Sequence, residues 1–151
     1  MTVDEAERSI RKAVKFGLLG SNLLVELGPE IVASACNGVG PARWSERVRR
    51  RLTKWLWLFK PGFDVHDCEF TYANDGSKTL FDRANDHLEW NLRRLSDLNY
   101  AWYNPVRYLA RMASRAIADA CREFGWNDWI DSHEKGGHKK TEEENVHEGN
   151  H

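Results

Sequence analysis

Residues 62–90 read GFDVHDCEFTYANDGSKTLFDRANDHLEW, and this stretch decides the fold. Asp64 is a good N-cap, so a helix is expected from about Val65 to Ala73, stopped by the turn-forming triplet Asn74-Asp75-Gly76. Ser77 then caps a long return helix from Lys78 to about Asn99. Phe81, Ala84, Leu88, Leu92 and Leu95 recur on it at helical spacing and face inward. Two helices joined by so short a turn lie antiparallel, and positions equally far from the bend stand level. His66 and Asp86 are each ten positions from Gly76, so the spacing predicts that they face each other, with Asp82 one turn nearer the bend. A carboxylate on one imidazole nitrogen fixes the tautomer and favours the protonated ring, leaving the other nitrogen to take a proton. The plain alternative is an ordinary helix histidine among surface acids.

Outward from this hairpin the periodicity stays helical, and no alternating strand pattern is found. Val3, Ala6, Ile10, Ala13 and Val14 mark a first helix closed by Gly17 and Gly20; a second starts at Ser21 or Asn22 and is broken at Gly28-Pro29. Asn104-Pro105 opens the last one, with Leu109, Ala113, Ala116, Ile117, Ala120 and Phe124 as its inward stripe and Gly125 as its end. The expected fold class is all-α, a small helical bundle around a central antiparallel pair. It forms one domain over 1–131, followed by a solvated His/Glu/Lys-rich tail over 132–151. Flexible tail histidines preorganise no metal site.

The chain has 151 residues with 22 Lys plus Arg against 23 Asp plus Glu. It is no global polycation, and any anion binding must come from a local patch. No apolar run approaches the roughly 18 residues that cross a bilayer. Three cysteines without a CxxC predict no disulfide framework and, with no secretory signal pattern at the start, synthesis in a reducing cytoplasm. The local patch is PARWSERVRRRLTKWLWLFK (41–60), with a net charge of about +6. On a helix, Trp44, Val48, Leu52, Trp55 and Phe59 form one stripe, while Arg43, Arg47, Arg50 and Lys54, joined by Trp57, lie opposite. Such a composition suits a membrane interface, where indole rings and basic stems are favoured and anionic headgroups attract the charge. It also suits nucleic acid phosphates, with Trp57 as a stacking ring, or a buried core helix with solvated arginines.

The turn CNGVGP (36–41) offers backbone carbonyls at alternate positions, and hard cations such as Ca²⁺ take carbonyls together with one or two carboxylates. Asp67 is the candidate carboxylate; the alternative for the turn is a simple helix C-cap. CNGVGP, then HD on a helix within FDVHDCEF (63–70), then DRANDHLEW (82–90), in this order and spacing, resembles the phospholipase A2 superfamily. The nearer likeness is to short bacterial and phage-encoded members. The likeness covers about 55 residues. It implies His66 as general base, Asp86 as its dyad partner, Asp67 as the calcium carboxylate, and Cys36, Gly38 and Gly40 as loop carbonyls. The implied reaction is calcium-dependent hydrolysis of a phospholipid ester by activated water. Phe70 stands where active members carry tyrosine, and Cys68 has no obvious partner. The alternative is therefore a non-catalytic relative, a virion or host-interacting protein. It would contact membrane, nucleic acid or protein through Arg43, Trp44, Arg47, Arg50, Lys54 and Trp57.

Overall fold

A computed structural model describes residues 1–36 and 57–134. It contains α1 (Val3–Lys15), α2 (Ser21–Ala35), a 3-10 turn (Trp57–Phe59), α3 (Lys60–Tyr72), α4 (Lys78–Asn99), α5 (Pro105–Phe124) and a final helix, α6, over 126–134. Among the described residues there is no strand, and the fold is an all-α bundle. None of the described helices is long and apolar enough to cross a membrane.

The central pair forms as the spacing predicts. Ser77 Oγ accepts from the Leu80 N–H and caps α4, and Gly76 adopts a φ of 78°, which a side chain would disfavour. Contacts then run in opposite directions along the two helices: Gly62 beneath Leu92 and Leu95, His66 with Asn85, and Phe70 with Phe81. At Gly62 the approach is close enough that a Cβ would sit 3.2 Å from the Leu92 side chain. Phe81, Ala84, Leu88, Leu92 and Leu95 are all buried, as expected. On its other side α4 packs against α5, also antiparallel, while α1 and α2 cover the remaining flank of α3.

Three expectations are corrected. First, α3 begins at Lys60 rather than Asp64. Pro61 lies in its first turn, where a missing N–H costs nothing. Asp64 is instead a buried acid held by Lys60 (2.7 and 2.8 Å) and the Ser9 hydroxyl (2.5 Å). Second, α5 buries Ser114 and Ala118, while Leu109 and Phe124 face outward, Leu109 at 64% exposure. Third, helix continues past residue 131 to 134, and His133 Nδ1 lies 3.1 Å from the Asn74 carbonyl. Trp129 of α6 is fully buried, edge-on to Phe70 (4.8 Å) and Phe81 (5.7 Å), and so closes the turn end of the hairpin with an aromatic cluster.

Candidate functional site

His66 sits in the middle of α3, 8% exposed, with its ring 4.5 Å from that of Phe70. Its Nε2 lies 3.2 Å from Asn85 Oδ1 on α4. The Asn85 amide nitrogen donates to the Phe81 carbonyl at 2.9 Å, so the oxygen must be the atom facing the imidazole. Nε2 therefore carries the proton and donates, and the lone pair resides on Nδ1. Burial drives the His66 pKa from 6.5 down to about 4, against the smaller upward pull of the Asn85 bond, so the ring is uncharged at neutral pH.

Asp86 is not its partner. The Asp86 carboxylate is 68% exposed and bonds Arg122 Nη2 of α5 at 2.7 Å. The reason is angular. Asn85 lies four residues after Phe81 and three before Leu88, on the inward stripe of α4, and one further residue turns the side chain by 100°. Asp82 is likewise on the surface, paired with Lys78. The hairpin register is thus the expected one, yet the residue it sets against His66 is an amide.

Asp67 is half-buried on α3, close enough that its charge helps to raise the thiols of Cys36 and Cys121. Cys36 caps the end of α2, and its sulfur lies 3.6 Å from the Asp64 carbonyl and 3.9 Å from Cys68 Sγ. Cys68 thus finds beside it a neighbour that the sequence did not suggest. Gly38 and Gly40 lie outside the described residues, as do Arg43, Trp44, Arg47, Arg50 and Lys54. Of the expected calcium ligands, the described residues hold the Asp67 carboxylate and Cys36. Among the described residues no group of three or more His, Cys, Asp or Glu side chains is gathered to hold a metal ion. Trp57 is described: it is 61% exposed, with Lys12 Nζ 5.7 Å from its ring centroid.

Two polar features leave no direct signal in the sequence. Glu69, buried on α3, has Oε1 2.6 Å from His87 Nδ1 of α4, while its Oε2 is buried without a hydrogen-bond partner. Asn91 exchanges two hydrogen bonds with the backbone of Leu19 (2.8 and 3.0 Å), fastening the α1–α2 turn to α4. Both are discoverable in part, because a polar residue on an inward stripe must find a partner there. A groove of about 530 Å³ between α4 and α5 is lined by Asp86, Glu89, Trp90, Arg93, Arg94, Asp97 and Arg111, and His66 is not among them.

No protein-family model, no curated protein and no solved structure matches this chain.

Proposed function

We propose that the chain is a non-hydrolytic binding protein on a phospholipase A2-like helical scaffold, engaging an anionic phospholipid surface through Trp57 and the basic segment leading into it. The observation that carries this reading is the amide at Asn85. A general base in a buried site needs a neighbour that stabilises its protonated form, and a carboxylate does this strongly. Burial lowers the His66 pKa to about 4, and the amide oxygen, which orients the ring, offsets this only in part, so the imidazole stays neutral at Nδ1. The lipid contact is supported by the exposed indole of Trp57, with Lys12 beside it, and by the net charge of about +6 over residues 41–60. Basic residues near an anionic bilayer each contribute about 1 kcal/mol, screened by salt.

A second reading, calcium-dependent ester hydrolysis, draws support from one feature: the Asn85 amide leaves Nδ1 as the basic nitrogen, the one able to accept a proton from water. Sedimentation with phosphatidylglycerol and phosphatidylcholine vesicles, with fatty acid release followed with and without calcium, separates the two. The expected outcome is binding to the anionic vesicles alone, weakened about tenfold by raised salt and by Trp57→Ala, without fatty acid release. Release that both a chelator and His66→Ala abolish would establish the hydrolase instead. Absence of vesicle binding at low salt overturns the lipid reading and leaves a protein partner, such as a virion component, as the contact to seek.

A further inference from the structure

Cys36 and Cys68 lie 32 positions apart in sequence, yet their sulfurs are 3.9 Å apart in the buried contact between α2 and α3. Their exposures are 3% and 0%. Neither thiol takes part in the lipid contact or the His66–Asn85 pair, so the chemistry of the two cysteines stands independently of the proposed lipid binding. We propose that Cys36 and Cys68 are a redox couple that closes to an intramolecular disulfide in the presence of a small-molecule disulfide, fastening the end of α2 to the helix that carries His66 and Asp67.

The geometry favours this pair over any other combination of the three cysteines. A disulfide needs its sulfurs at about 2 Å and its Cβ atoms roughly 4 Å apart, so the approach required is about 2 Å. Cys68 is held within α3, but Cys36 caps α2 with extended backbone (φ −86°, ψ 107°) and is the partner able to adjust. Cys121 is half-buried on α5 and serves as an internal comparison.

The chemistry balances without any group beyond the named oxidant. The thiolate of one cysteine attacks the small disulfide, forming a mixed disulfide and expelling one small thiolate. The second cysteine, on losing its proton, attacks the protein-side sulfur and expels the other. Two protein thiols are oxidised by two electrons, and one small disulfide is reduced to two thiols. The contact with Cys68, burial, and the nearby charges of Asp64 and Asp67 all hold the Cys36 thiol well above the ordinary range. Attack therefore starts from molecules in which the end of α2 has lifted, and mild denaturant accelerates it.

The test incubates the full chain with oxidised glutathione or with dithiothreitol, then unfolds it, alkylates it and maps its peptides. Expected is one alkylated cysteine, Cys121, in the oxidised monomer, and three in the reduced one. A single cross-linked peptide should join residues 36 and 68. The oxidised form should melt roughly 10 °C higher, with the gain reversed by dithiothreitol, retained in Cys121→Ser and absent in Cys68→Ala. Three alkylated cysteines after oxidation, a cross-link through Cys121, or disulfide-linked dimers would overturn the proposal. The mapping uses the unaltered chain, so it holds even where a cysteine variant folds poorly.

Discussion

On its α3 side, α4 sets Asn85, His87 and Asn91 against the buried His66, the buried Glu69 and the backbone of Leu19. On its α5 side it sets Asp86, Glu89 and Asp97 against Arg122, Arg107 and Arg111. One flank excludes water and relies mostly on amides and imidazoles with defined hydrogen bonds. The other is partly wet and relies on charges. The charged residues that α4 contributes sit where water still reaches them and its buried amides sit where it does not; the carboxylate of Glu69 on α3, buried against His87, is the exception. A single residue step along α4 carries a side chain from one regime to the other, and that step separates Asn85 from Asp86.

The comparison breaks most sharply at the aromatic end of the dry flank. Trp129→Ala should cost about 3–5 kcal/mol in denaturant unfolding, since it empties the space between Phe70 and Phe81. Next comes pH. His66 is neutral in the folded chain down to about 4, whereas its unfolded value is near 6.5. Between these values the unfolded chain binds more protons, so stability falls as pH drops through that window, by about 3 kcal/mol in total. The difference between wild type and His66→Gln, measured across pH 4 to 7, isolates this slope. Asn85→Ala should cost about 2 kcal/mol at neutral pH, because it leaves a buried imidazole N–H without its acceptor. On the wet flank Arg122→Ala should cost only about 1 kcal/mol or less, declining with added salt. An Arg122 loss as large as that at Asn85 would mean that the two flanks do not differ as described.

Much of the hairpin is legible because its signals are local: a cap at Ser77, a turn glycine at 76, and a long inward stripe from Phe81 to Leu95. The dyad is misplaced when level positions are matched by distance from the bend alone, without asking which way each residue points. Asn85 already lies on the stripe that names Leu88 as buried. The face of α5 is hard to read for a different reason. Its alanines form apolar rows on more than one side, and Arg107, Arg111 and Arg122 settle the choice by reaching long-range acids on α4. Helical spacing can flag Glu69 as a polar residue in need of a partner but does not name His87. The neighbouring thiols of Cys36 and Cys68 join residues far apart in sequence and leave no periodic trace.

The reciprocal bonds between Asn91 and Leu19 have a consequence for how the molecule comes apart. They reproduce, with one side chain, the paired donor and acceptor of a ladder rung, and they do so at a turn that no helix protects. The N-terminal helical pair is thereby made part of the same cooperative unit as the central helix. The Leu19 amide should consequently exchange its proton with solvent about as slowly as those of the helix interiors, surfacing only when the whole bundle melts.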